Sequence, residues 1–283
     1  MSTMDDPRKY PRATWRVIIH PPLDGATNMA IDEAIAHAVQ AGSSPPTLRF
    51  YDWQPATLSL GYAQPFADVD IERLRSRGWG VVRRLTGGRA ILHVDELTYS
   101  VAVPVSDPRV TGGVVESYRK LSQGLMAGLE TLGAAVQSDK AEDEAHRFKG
   151  PVCFEVPSDY EITVNGKKLI GSAQTRRGGG DVVLQHGALP LCGDVTRICE
   201  VLAFEDEAAR EEARNRVAGR AATLEEALGR AVSFQEAAQA MQEGFARALN
   251  LKLQPGRLSA AEQAEAARLR AEKYAADEWT QKH

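Results

Sequence analysis

The sequence predicts an α+β fold, with mixed or antiparallel sheets flanked by helices. Three features carry that expectation. Between residues 47 and 104, short β-branched and aromatic runs alternate apolar and polar positions with a period of two. Before residue 42 and after about residue 195, the pattern changes to helical spacing or to Ala/Glu-rich sequence. Between them, the dipeptide Asn165-Gly166 separates two β-prone runs, a short-range hairpin signal because a type I′ turn needs φ > 0 twice.

Taken in order, residues 1–14 read as a flexible polar tail and Trp15–His20 as a short strand. Asp24 to Asn28 supplies turn and cap chemistry. Met29, Ala30, Ile31, Ala34, Ile35 and Ala38 then form one apolar helix face, stopped by Gly42-Ser-Ser-Pro-Pro46. TLRFYDW, TLSLGY, GVVRRL, RAILH and LTYSVAVP follow as strands. In the last, Leu97, Tyr99, Val101 and Val103 alternate with Thr98, Ser100 and Ala102, which predicts one buried and one wet face. Residues 114–134 return to helix, and the charged stretch 138–149 reads as an exposed connection. The hairpin pairs Val164 with Lys167, Thr163 with Lys168 and Ile162 with Leu169, and a second strand pair follows a Gly-rich turn at 176–180. Capping boxes are expected at Thr223/Glu226, Ser233/Glu236 and Ser259/Glu262. The main domain spans 15–250, and 251–283 is expected as a helical C-terminal tail.

Composition removes several classes of function. The balance of 34 Lys+Arg against 38 Asp+Glu gives a formal charge of −4, and the pI is near 5.9, so no nucleic-acid partner is expected. No window approaches the ~18 uninterrupted apolar residues of a membrane helix. Residues 1–12 are charged and lack the apolar core of a secretion signal. Three cysteines, 153, 192 and 199, without C-x-x-C spacing suit a reducing, cytoplasmic setting. The six histidines show no metal-ligand spacing, so no metal site is expected.

Four places could carry chemistry. Arg83-Arg-Leu-Thr-Gly-Gly-Arg89, followed by His93, combines fixed cationic donors with glycines that let a backbone approach a ligand. The same spacing fits a β-turn with solvated arginines. On the hairpin, Lys167 and Lys168 face opposite ways, so only one of them can enter a given cleft. Cys153, between Pro151 and Pro157, is a nucleophile if a cation lowers its pKa from roughly 8.5, and otherwise an inert core thiol. His186 is followed directly by Gly187, a place where a ligand could come close. Cys192 and Cys199 read as packing residues.

These segments together resemble the lipoate-protein ligase A family: NMAIDEA at 28–34, RRLTGGRAILH at 83–93, KLIGSAQTR at 168–176, LQHGALPL at 184–191 and KYAADEW at 273–279. The likeness covers roughly residues 15–279. It implies a fold similar to the biotin/lipoate protein ligase catalytic domain, and attachment of lipoyl or octanoyl groups to a lysine of a lipoyl domain. Pro151-Val-Cys153-Phe154 is similar to the cysteine segment of the octanoyltransferase branch. The resemblance therefore implies Cys153 as acyl-accepting nucleophile and Lys168, not Lys167, as active-site lysine. It implies substrate contacts from Arg83, Thr86, Gly87, Gly88, Arg89 and His93, from Gly171, Ser172, Ala173 and Gln174, and from His186 and Gly187. The implied donor is octanoyl-acyl carrier protein and the acceptor a lipoyl domain such as that of a glycine cleavage H protein. A thioester is already activated, so no cofactor is expected. The alternatives are an ATP-dependent ligase acting through an acyl-adenylate, an amidotransferase between lipoyl domains, and a non-catalytic acyl- or lipoyl-domain-binding module.

Overall fold

The computed structural model describes residues 9–139, 161–176 and 180–283. In chain order its strands are β1 (Ala13–Ile19), β2 (Thr47–Tyr51), β3 (Thr57–Leu60), β4 (Gly80–Arg83), β5 (Ile91–His93) and β6 (Glu96–Pro104). They continue with β7 (Gln137–Asp139), β8 (Glu161–Val164), β9 (Lys167–Thr175), β10 (Val182–Pro190) and β11 (Leu251–Pro255). An eight-stranded mixed sheet runs β11-β1-β2-β6-β10-β9-β8-β7, and a three-stranded sheet runs β4-β3-β5. The β1 strand lies parallel to both β11 and β2, whereas the pairs from β2 through β6, β10 and β9 are antiparallel.

Helices cover both faces of the large sheet. On one face, α3 (Val114–Thr131) and α6 (Phe234–Ala248) pack against Phe50, Tyr99 and Val101. Their close crossing depends on glycine: a Cβ on Gly244 would stand 2.2 Å from the Gly128 backbone nitrogen. On the other face lies α1 (Gly25–Gln40), whose first turn is capped by the Asp24 carboxylate accepting from the Thr27 N–H at 3.0 Å. Strand β6 is buried from Glu96 to Val103, so the expected wet face is absent. Thr98 and Ser100 are instead buried as members of polar networks under α1 and the small sheet, where their hydroxyls find partners. The small sheet has its own core of Leu58, Leu60, Ile91, Cys199 and Leu202, supported by α2 (Ile71–Ser76) and α4 (Glu207–Arg220).

The hairpin forms as its turn dipeptide dictates, with φ +50° at Asn165 and +74° at Gly166. Val164 pairs with Lys167 and Thr163 with Lys168, but Ile162 faces Ile170 because Leu169 is an extra residue in a β-bulge. Reciprocal capping boxes are present at Thr223/Glu226, opening α5 (Leu224–Leu228), and at Ser259/Glu262, opening α7 (Ala260–Leu269). At Ser233 only the forward bond forms, since Glu236 is turned to Arg230 at 2.9 Å.

The described residues near each terminus are tied to the body. Tyr10 is buried, the Asn250 side chain donates to its carbonyl at 2.9 Å, and the Arg109 guanidinium lies 5.4 Å from its ring centroid. Residues 251–255, expected as helix, form edge strand β11 against β1. Beyond them, α7 packs on α1, and Arg16 of β1 donates to Glu262 at 2.8 Å. The last helix, α8 (Asp277–Thr280), lies against β4. Among the described residues no helix is long and apolar enough to cross a membrane.

Candidate active site

Where α1 and the small sheet close over the large sheet, they leave a narrow cavity of about 30 Å³. Its apolar wall comes from Met29 of α1, Tyr51, Trp53, Ile91 and Ala188. Polar side chains enter from Ser59, Arg84, His93, Thr98, Ser172 and His186, and Gly88, Ala173 and Gly187 complete the lining.

A buried polar frame fixes one wall. Asn28 and Asp32 stand one turn apart on α1 and both meet Arg49, which is fully buried on β2. The guanidinium donates to Asp32 Oδ1 at 2.7 Å, to Asn28 Oδ1 at 2.7 Å and, through Nε, to His20 Nδ1 at 2.8 Å. Asp32 also accepts from the Ser100 and Tyr51 hydroxyls at 2.8 Å each. Burial pushes its carboxyl pKa up, but Arg49 and His186 outweigh that and hold it at about 2. Burial, aided by Arg49, lowers the His20 pKa to about 4. His186 sits between Asp32 Oδ2, 3.5 Å from Nδ1, and the Thr86 hydroxyl, 2.6 Å from Nε2. Burial lowers its pKa against the pull of Asp32. The glycine loop is thus fastened to the sheet through His186.

His93 forms the opposite wall. Its ring stacks on Trp53 with centroids 4.0 Å apart, and its nitrogens meet Ser59 Oγ and Glu96 Oε1, each at 2.7 Å.

The structure sorts the expected site residues. His93, Gly88, Ser172, Ala173, His186 and Gly187 converge on the cavity. Gly187 must lack a side chain, because a Cβ there would stand 2.5 Å from Ser172 Oγ and 2.6 Å from the Gly171 carbonyl. Thr86 lies behind His186. Gly87 is exposed at the loop tip, and Arg89 is half-buried with its carbonyl accepting from Arg84. Gln174 is bonded to Ser117 and Gln185, away from the lining. Arg83, expected as a substrate contact, is instead fully buried and caged by the carbonyls of Gly61, Tyr62, Gln64 and Thr280. It braces the loop from behind, joining it to the C-terminal segment. The neighbouring Arg84 is the arginine that reaches the cavity, while also donating to the carbonyls of Ser59, Gly87 and Arg89.

Lys168 is buried, and its ammonium meets Glu161 Oε1 at 2.7 Å, whereas Lys167 donates to the Ala218 carbonyl on the surface side. Lys168 is not among the cavity-lining residues. The half-buried Tyr118 phenol on α3 has its pKa raised by burial against the opposing pull of the Lys168 charge. Cys153 lies outside the described residues.

Sequence reasoning missed Asn28, Asp32, Arg49, Trp53, Ser59 and Glu161. A signal existed for the first two, polar residues four apart within an otherwise apolar helix stretch, which places them on one face.

An α+β domain with a largely apolar cavity beside a glycine loop has the form of a small-molecule site. The model of the lipoyl protein ligase A/B catalytic domain matches residues 24–246, and the chain belongs to that family. It is 46% identical to Octanoyltransferase LipM of Kyrpidia tusciae over 94% of this chain and 98% of that one. It is 42% identical to Octanoyltransferase LipM of Brevibacillus brevis, with the same coverage. The fold superposes with a TM-score of 0.79 on a bi-partite lipoate protein ligase of Thermoplasma acidophilum, at 24% identity, covering 95% of this chain and 96% of that one.

Proposed function

We propose that the protein is an octanoyltransferase that moves an octanoyl group from octanoyl-acyl carrier protein to a lysine of a lipoyl domain. The observation that carries the proposal is near-full-length similarity, at 39–46% identity, to proteins named octanoyltransferase. The mostly apolar cavity supports it, since each buried CH₂ of an acyl chain contributes roughly 0.8 kcal/mol.

In this reading Cys153 is the nucleophile and Lys168 its proton partner. The Cys153 thiolate bonds to the octanoyl carbonyl carbon, and the carbon–sulfur bond to the carrier breaks. The departing carrier thiolate takes a proton from the Lys168 ammonium. The acceptor lysine, entering as a neutral amine, then bonds to the same carbon while the Cys153 bond breaks, and its surplus proton returns to Lys168. The octyl chain would lie among Met29, Trp53, Ile91 and Ala188, with the loop at Gly88 and the strand at Ser172 and Ala173 flanking its carbonyl end. No ATP is required, because the donor is a thioester.

The test is transfer to an unmodified lipoyl domain, read by acceptor mass. Octanoyl-acyl carrier protein without ATP is expected to add one octanoyl group, and Cys153→Ser to abolish the addition. Modification only with free octanoate or lipoate and ATP, undiminished in Cys153→Ser, would make the protein a ligase instead.

A further inference from the structure

The Lys168 ammonium and the Glu161 carboxylate face each other at 2.7 Å with side-chain exposures of 5% and 17%. Exposed pairs are worth little, but here the lysine is withdrawn from water and a lone ammonium at such a site tends to shed its proton. Glu161 opens β8 and Lys168 follows the Asn165-Gly166 turn, so both partners belong to one hairpin. The bulge at Leu169 breaks strict alternation there, leaving Lys168 and Leu169 both buried. The titratable groups facing Lys168 among the described residues include Glu161 from β8 and Tyr118 from α3. Lys167 on the same strand is turned to Ala218.

We infer that Glu161 is a positioning residue for Lys168, fixing its amine on the hairpin and keeping it protonated between turnovers, an inference that rests on the reading of Lys168 as proton partner. Two consequences follow for the transfer. The resting ammonium is ready to protonate the departing carrier. Once neutral, Lys168 is a stronger base beside the Glu161 carboxylate, so it draws the surplus proton from the acceptor amine. Glu161 exchanges no proton and touches no substrate. Its effect is electrostatic and geometric.

The test follows Lys168 directly by NMR of protein carrying [13C]lysine, with the resonance assigned by Lys168→Arg. Glu161→Gln is expected to lower the Lys168 titration midpoint by about one pH unit. Octanoyl transfer should slow about tenfold in kcat with little change in KM. Glu161→Asp should restore much of both, and thermal melting confirms that each variant is folded. An unchanged midpoint in folded Glu161→Gln would overturn the inference, as would a lowered midpoint with an unchanged transfer rate. Absence of transfer in the unaltered protein would instead overturn the transferase reading, and the titration would still report whether Glu161 holds the lysine charge.

Discussion

The two sides of the site are built differently. Around Asp32 and Arg49 every charge has several partners: the carboxylate meets Arg49, Tyr51, Ser100 and His186, and the guanidinium meets Asp32, Asn28 and His20. These residues sit in the packed centre, between α1 and the large sheet. The Lys168 side is a two-strand hairpin toward the sheet's end, where the ammonium meets a half-buried glutamate seven positions earlier in the same chain segment. The first region spreads its charge over many bonds and so resists change in protonation. The second holds a short ion pair at 2.7 Å, and in the proposed reading it is the one that exchanges a proton. Under the proposed function, the wall that shapes the cavity and the arm that serves the chemistry are thereby kept apart.

This contrast breaks most sharply at Arg49. Arg49→Ala leaves the Asp32 carboxylate buried without its main counter-charge, and a loss of about 3–5 kcal/mol is expected, measurable by urea unfolding. A loss below 1 kcal/mol would mean that the frame is not what holds this wall. Lys168→Ala should do the reverse: a smaller loss of about 1–2 kcal/mol, because Glu161 keeps some contact with water, and octanoyl transfer reduced at least about 100-fold. Lys168→Ala that unfolds the protein would erase the distinction between wall and arm.

Gly187→Ala tests the strand between them. Its Cβ would stand 2.5 Å from Ser172 Oγ and 2.7 Å from Tyr99 Cε1, and relief is expected to cost about 2 kcal/mol and to weaken acyl binding. Full stability with unaltered octanoyl binding would show that the strand gives way freely.

The frame also has a pH signature. His20, with a pKa lowered to about 4, accepts from Arg49 only when neutral, so stability is complete above about pH 6.5 and falls as the pH drops toward 4. The loss should be about 1–2 kcal/mol after allowance for the ring's partial exposure, and His20→Gln should flatten that part of the curve. The smallest effect is expected at Lys167, whose replacement by Ala should change melting and transfer by less than about 0.5 kcal/mol. A transfer defect there would mean the hairpin lysines have exchanged roles.

What could be read from sequence follows the same division. The hairpin was legible because Asn-Gly imposes its turn locally, and register then separated Lys167 from Lys168. The bulge at Leu169 was not, since nothing in KKLIG marks an extra residue. Strand β11 escaped because LKLQP is a five-residue edge strand, and its partner β1 lies more than two hundred positions away. Asp32 read as a polar position on an amphipathic helix, and Arg49 as one polar residue in TLRFY. Only tertiary contact makes them a pair. Arg83 and Arg84 look alike in sequence, yet one is caged by carbonyls and the other reaches the cavity, because adjacent residues leave the backbone on opposite sides. The functional family was legible only from several weak motifs in a fixed order.

The most direct test of the account is the intact mass of the purified protein after mixing with octanoyl-acyl carrier protein in the absence of ATP, with Cys153→Ala in parallel. The account predicts one octanoyl group on the unaltered protein and none on the variant. An unaltered protein that gains no mass, or a variant that gains the same octanoyl group, would contradict it.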